Sequence, residues 1–545
     1  MQQHFSLDTS IVLIALTLSV PVIVIVGFLF VPATEVWHHL ADTVLVDYIS
    51  NSLLLMIGVA IGTFILGVTS AWLTAMCNFP GRKIFEWALL LPLAMPAYII
   101  AYTYTGMLDY AGPVQTAIRA VTNWGYGDYW FPEIRSLEGA ALMLSLVLYP
   151  YVYLLTRAAF LNQSLCVLDV SRTLGNNTWQ TFLRVALPLA RPAIAAGLTL
   201  ALMETLADFG TVEYFGVQTF TTGIFRTWFG LDDVAAAAQL AGILLLFVIT
   251  LIIIERYQRR QARYHHTSQR HQALKRIKLH GANRFAAFSF CFTLLSLGFL
   301  LPVSQLITWL FTASEELFDN RYFSLVQHSL TLAAITAFLA LVIAVLLSYG
   351  RRISPNKVTK IAVGIAGMGY AIPGAVIAIG VMIPFSTFDN WLDSFLVAQF
   401  GVSSGLVLGG TIFTLIFAYL VRFLAMSLQT VDTGLLRIKT SMDEAAQSMG
   451  LTPLQTVKRV HIPMLTGSLF TALLLVFVDV LKELPATLIL RPFNFNTLAV
   501  RAYELASDER LADAAPAALT IVAIGIIPVI LLSYSITRSR HEHKA

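Results

Sequence analysis

Twelve apolar runs, each long enough to cross a bilayer, constrain this chain more than any other feature. They lie near 11–31, 50–77, 85–107, 138–158, 192–212 and 236–254, then near 285–312, 326–349, 360–384, 404–427, 465–490 and 515–536. About 20 apolar residues span the hydrocarbon core as a helix, and there every backbone donor and acceptor must be satisfied within the segment. The runs therefore read as twelve helices, six and six, in an all-α integral membrane protein. Composition agrees: 57% of residues are hydrophobic and 12% charged, against about 25% charged in a soluble domain. The first run, Ile11 to Phe30, has no Lys or Arg ahead of it. It is longer than the apolar region of a secretory signal and reads as a retained first helix.

Loop charge orients the spans. The stretch 255–284 holds Arg256, Arg259, Arg260, Arg263, Arg270, Lys275, Arg276, Lys278 and Arg284. A basic cluster between helices belongs in the cytoplasm. Arg82-Lys83, Arg351-Arg352 with Lys357 and Lys360, and the tail with Arg538, Arg540 and Lys544 fall on the same side, while 32–49 and 385–403 carry no Lys or Arg and fall outside. Both termini are then cytoplasmic. The cluster reads as a linker and topology determinant rather than a nucleic-acid site, which divides the chain into 1–255, a linker 256–284, and 285–545.

The halves are copies. Asn51-Ser52-Leu53 matches His328-Ser329-Leu330, and Met95-Pro96 matches Ile372-Pro373, at an offset of 277. Glu204 matches Asp479, Asp208 matches Glu483, and Phe220-Thr221-Thr222 matches Phe495-Asn496-Thr497, at an offset of 275. Two six-helix repeats in the same orientation imply a pseudo-two-fold axis along the membrane normal, with a pathway on it.

The most faithful repeat is polar. Glu444-Ala445-Ala446, Gly450 and Ile462-Pro463 recur as Asp169-Val170-Ser171, Gly175 and Leu187-Pro188 with identical spacing. Both copies fall on the cytoplasmic side between the fourth and fifth spans. Thr452 with Gln455, and Asn177 with Gln180, have the spacing of a capping box. Gly450 and Gly175 sit where the chain must turn. Apolar residues then recur at helical spacing, Trp179, Phe182 and Ala186 in one copy and Leu454 and Val457 in the other, with Arg184, Lys458 and Arg459 between them. Each segment reads as a short helix outside the bilayer whose apolar side is free for a partner.

This pattern resembles the EAA loop of importer-type ABC permeases. The second copy keeps Glu444, Ala445, Ala446 and Gly450; the first departs at Asp169, Val170 and Ser171 but keeps Gly175, Leu187 and Pro188. The resemblance implies the type I importer transmembrane fold, two coupling helices docked on ATPase subunits (one under each half), a periplasmic substrate-binding protein and a bacterial inner-membrane location. No GxxxxGK[ST] occurs in the chain, so ATP and Mg would be used by the partner and no cofactor by this chain. The stretch Asp479 to Phe493, continuing through Leu498 to Glu504, narrows the resemblance to ferric-iron permeases. Related fused permeases imply thiamine or phosphonates as alternatives. A rival of another class is an ion-coupled secondary transporter, for which the two capped segments would have no use.

Ionisable residues within a span face a cavity or a partner. Glu204 and Asp208, four apart, are expected on one face of the fifth helix, with Asp479 and Glu483 their counterparts on the eleventh. Four carboxylates near an axis suit a hard cation in transit. They equally suit structural pairing with Lys482 or Arg491. Tyr98, Tyr102 and Tyr104 could add phenol oxygens to that lining, but read rather as an interfacial aromatic belt. Cys77, Cys166 and Cys291 have no metal or disulfide spacing and read as core residues, and His265, His266 and His271 match no ligand motif. The outer loops 108–137 and 213–235 are expected to meet the binding protein.

Overall fold

Among the described residues, eleven helices are long and apolar enough to cross a membrane, and a bent pair, Arg82–Ala94 with Ala97–Thr122, makes twelve when counted as one span. The computed structural model describes residues 2–32, 34–125, 127–162, 171, 173, 175, 177–260, 276–313, 320–354, 356–436 and 438–541. In the first half the spans are α1 (Gln2–Phe28), α2 (Leu45–Met76), α3 (Ala97–Leu108), α4 (Leu137–Asn162), α5 (Leu187–Ala207) and α6 (Val234–Arg260). In the second they are α7 (Gly281–Leu295, continuing to Thr312), α8 (Asn320–Ile353), α9 (Gly374–Phe400), α10 (Ile412–Leu435), α11 (Ile462–Leu481) and α12 (Leu511–His541).

Two expectations about the third span of each half are corrected. The run 85–107 is not one straight helix: it breaks before Pro96, with a bend of 92°. Pro373 repeats the device, ending a turn at Gly369–Ala371 and starting α9. Proline keeps the preceding residue out of the helical region, and Met95 and Ile372 are both extended. Beyond Pro373, α9 runs to Phe400, so most of the expected outer loop 385–403 is helix.

Small residues let the helices approach closely. On α2, a Cβ at Gly62 would lie 2.2 Å from Ser145 Oγ, and one at Gly67 would lie 2.7 Å from Val152 Cβ on α4. On α8, Ala333, Ala337, Ala340 and Ala344 form a fully buried stripe, and α8 packs on α10 and α11. Such contacts replace the hydrophobic drive that lipid removes.

Two cores result, and each mixes the halves. One is built on α2, α3 and α4 with α7 and α12; the other is built on α8 to α11 with α1 and α6. Each repeat thus lends its first and last helices to the other. The duplication is visible in single bonds: Ser52 Oγ accepts from Phe220 N at 3.4 Å, and Ser329 Oγ accepts from Leu498 N at 2.8 Å. Cys77-Asn78 pairs in parallel with Ile277-Lys278 where the linker enters the second half. Cys77 and Cys291 are buried and free. Cys166, the three linker histidines and residues 261–275 lie outside the described residues.

Candidate functional site: two coupling segments and a central cavity

The second coupling segment is a helix, Thr440–Ser448, a turn at Gly450, and a second short helix from Pro453. Gly450 has φ +80° and Gly175 has φ +86°, a left-handed backbone that disfavours any side chain. Both capping boxes form. Thr452 N donates to Gln455 Oε1 at 2.9 Å and Gln455 N to Thr452 Oγ1 at 3.4 Å. In the first copy Asn177 N donates to Gln180 Oε1 at 3.0 Å and Gln180 N to Asn177 Oδ1 at 2.8 Å.

Exposure separates the supporting side from the free side. Ala446 and Ser171, the same position in the two copies, are buried, and Ser171 Oγ lies 3.2 Å from Thr181 Oγ1. Glu444 and Ala445 are exposed, as are Leu436, Met442 and Met449. In the first copy Trp179 and Leu183 are exposed. Phe182, Ala186 and Val457 are not part of the free side as expected: they are buried, Phe182 against Trp72 and Phe160. Asp169, Val170 and the side chain of Leu454 lie outside the described residues.

Each segment runs without interruption into the next membrane helix through a π-bulge. Leu187 N bonds to Phe182 O and Ile462 N to Val457 O, five residues back, immediately before Pro188 and Pro463. A proline lacks an N–H and its ring collides with the carbonyl four residues back; a wider turn relieves both. The junction of each segment with its membrane helix is therefore a bulge inside a continuous helix.

A brace that no sequence spacing announces fixes the second segment. Asp443 accepts from Arg352 Nε at 2.7 Å and meets His461 Nε2 at 2.6 Å. Arg352 also donates to Leu435 O at 2.7 Å and Ile438 O at 2.9 Å. One guanidinium thus joins the end of α8, the end of α10 and the coupling helix. Its planar fork of donors reaches all three acceptors at once, which is why arginine suits the position.

The four candidate carboxylates do converge. Glu204, Asp208, Asp479 and Glu483 line one cavity of 110 Å³ between the halves, with Tyr98, Tyr151, Tyr370, Arg422 and Lys482. The expected helix faces are corrected. α5 ends at Ala207, and Asp208 is extended; its carboxylate accepts from Thr211 N at 3.1 Å, Val212 N at 3.2 Å and Thr211 Oγ1 at 3.0 Å. α11 ends at Leu481, and Glu483 accepts from Ala486 N and Thr487 N, both at 3.1 Å. Both residues therefore cap the short helix that follows a break. Lys482 pairs with Asp479 at 2.7 Å, not with Glu483; Arg422 pairs with Glu483 at 3.0 Å, and Arg491 with Glu504 at 2.9 Å. The tyrosines are no interfacial belt: Tyr98, Tyr102 and Tyr104 are buried, and Tyr98 faces the cavity. Among the described residues no three His, Cys, Asp or Glu side chains converge as a metal cage.

Residues 64–263 and 340–540 each match the family described as binding-protein-dependent transport system inner membrane component. The chain belongs to that family. It is a multi-pass inner-membrane permease of ABC importers, with the family's unit present twice in one polypeptide. Such permeases work with an ATPase and a binding protein. The permease is 27% identical over 97% of its length to the Fe(3+)-transport system permease protein FbpB 2 of Haemophilus influenzae, covering 98% of that protein. It is 23% identical over 85% of its length to the ferric transport system permease protein FbpB of Actinobacillus pleuropneumoniae, covering 67% of it. The molybdenum transport system permease protein ModB of Escherichia coli is 28% identical over 27% of the chain and 62% of its own length.

Proposed function

We propose that this permease imports ferric iron, handed over by a periplasmic binding protein and driven by two ATPase subunits, one on each coupling segment. The observation that carries the cargo is the likeness to a permease named for Fe(3+) along 97% of this chain. The hard oxygen donors that such a cation takes are present among the four carboxylates and three phenols around one cavity. They form no cage, as suits a site that must release what enters it. The energy comes from ATP and Mg bound by the partners, and this chain holds no cofactor. Both termini lie in the cytoplasm, which puts the coupling segments there too and places 108–137 and 213–235 outside, to receive the binding protein. Asp169, Ser171, Gly175, Leu187 and Pro188 form one docking element; Glu444, Ala445, Ala446, Gly450, Ile462 and Pro463 form the other.

A second reading, an oxyanion cargo, rests on Arg422 and Lys482 lining the same cavity. Reconstitution in proteoliposomes with the ATPase and the binding protein separates them. ATP-dependent uptake of radiolabelled ferric iron, not displaced by molybdate or phosphonate, is the expected result. Uptake without ATP would refute the coupled mechanism, and uptake of the oxyanion alone would refute the cargo.

A further inference from the structure

The cavity is close to two-fold symmetric in its carboxylates but not in its cations. Lys482 and Arg422 have Ala207 and Val147 at the matching positions of the first half, and both of these also line the cavity. Two of the four acids are consumed locally. Asp208 and Glu483 each hold two backbone N–H groups and a threonine hydroxyl, and Glu483 also holds Arg422. The symmetry mates Glu204 and Asp479 remain. Glu204 forms no hydrogen bond or ion pair among the described residues, and Asp479 offers only Oδ1 to Lys482; its Oδ2 is buried without a partner. Tyr98 Oη, on a side chain 5% exposed, also has no partner and lines the same space. Tyr151 and Tyr370, one from each half, place their hydroxyls 3.4 Å apart, and Glu204, Lys482 and Asp479 all lie within electrostatic range of Tyr151. Unsatisfied buried oxygens of this kind call for a ligand.

Resting on the cation reading above, we infer that Lys482 is a resident counter-cation. It occupies the place of the cargo between Glu204 and Asp479 when the pathway is empty, and a multivalent cation passes by exchanging with its ammonium group. A buried Asp479 carboxylate and a half-buried Glu204 carboxylate left bare in one cavity would repel each other, and Asp479 would also lose solvation. A tethered ammonium relieves this in the empty carrier, yet holds too weakly to compete with a trivalent ion. Glu204, Asp479 and the hydroxyls of Tyr98, Tyr151 and Tyr370 are the oxygens such an ion would meet. Lys482 sets how tightly it is held.

The test uses the full chain in lipid nanodiscs, with terbium(III) as a redox-inert hard cation whose luminescence is sensitised by nearby tyrosine. Lys482→Met is expected to tighten terbium binding about tenfold or more, because one positive charge within a few ångströms is removed. Lys482→Arg should not tighten it, and Glu204→Gln with Asp479→Asn should abolish the sensitised signal. If Lys482→Met fails to assemble, Lys482→Gln, which can still donate to Asp479, carries the same expectation. Unchanged terbium affinity in the neutral variant, with ferric uptake still lost in Glu204→Gln/Asp479→Asn, overturns the exchange but leaves the cation reading standing. Uptake lost in the lysine variant but intact in the double carboxylate variant overturns both.

Discussion

Replacing Arg352 by Met removes the brace of the second coupling helix and little else. Arg352 makes three hydrogen bonds, to the Asp443 carboxylate, Leu435 O and Ile438 O, at 2.7, 2.7 and 2.9 Å. A hydrogen bond involving a charged group is worth about 1.5–3 kcal/mol net. The Arg352 side chain is 15% exposed and that of Asp443 20%, so water takes over part of the loss. The net destabilisation is about 3 kcal/mol, or roughly 150-fold in the equilibrium between a seated and an open segment. It falls on Thr440–Ser448 because Asp443 sits there, while the packed stripe of α8 is untouched. Hydrogen–deuterium exchange in nanodiscs should show amides of 440–448 exchanging up to about two decades faster, with the core of α8 and α10 unchanged. ATPase turnover per cargo imported should rise in the full transporter. Arg352→Lys should recover only part, since an ammonium cannot span the three acceptors. Unaltered exchange at 440–448, or acceleration spread evenly over α8 to α11, would refute the brace.

Other substitutions probe the same geometry. Gly450→Ala and Gly175→Ala meet no neighbour within 4 Å, so each should cost only the left-handed backbone penalty, about 1–2 kcal/mol. Local exchange at the turn reads it. Trp179→Ala, at 65% exposure, should leave the thermal midpoint unchanged yet weaken ATPase binding by about 2 kcal/mol if it anchors the interface, measured by titration of the ATPase. Gly374→Ala places a methyl 2.2 Å from Arg422 Nη1 and 2.6 Å from Glu483 Oε1. It should cost about 1–3 kcal/mol as overpacking and lower uptake, whereas Gly364→Ala, with nothing within 4 Å, should do neither.

Much of this architecture is legible because membrane helices obey one period and one length. The runs, the duplication at offsets of 275 and 277, and the capping boxes come from local rules. The remainder is set by tertiary context. Pro485 marks a helix start two residues after Glu483, a signal able to end the eleventh helix early; the first half has no proline there, only Asp208-Phe209-Gly210. The brace joins positions 91 and 18 residues apart, and Arg422 meets Glu483 across 61 residues. No spacing rule reaches that far. Sequence alone puts the tyrosines of α3 at the interface, because an aromatic near an expected membrane boundary reads as interfacial until a bend at Pro96 turns it inward. The apolar side of each coupling segment differs from expectation for a related reason: periodicity identifies a face, and packing decides what covers it.

The bulges bear on how the two sites communicate. Thr440–Ser448 connects through Pro453 and the bulge Val457–His461 to α11, whose far end carries Asp479 and then Lys482. The 20 residues of α11 extend about 30 Å, so the coupling segment and the cavity sit at opposite ends of one rod. The first half repeats this from Trp179 through Phe182–Ala186 to Glu204 on α5. An extra residue in a helical turn rotates the helix before the bulge by about 100° relative to the helix beyond it. Pro463→Ala and Pro188→Ala restore the missing N–H donor and remove the ring that the bulges accommodate, and proline inside a helix costs about 3 kcal/mol. The variants should therefore fold at least as stably as the parent, read by thermal unfolding in nanodiscs. A regular helix would nevertheless turn Glu444 and Met449 away from the surface that Ala446 now fixes. Uptake should fall and cargo-independent ATP hydrolysis should rise in the double variant, with the permease intact. If the double variant kept the parent ratio of ATP hydrolysed to cargo imported, the phase of the bulge would have no part in coupling.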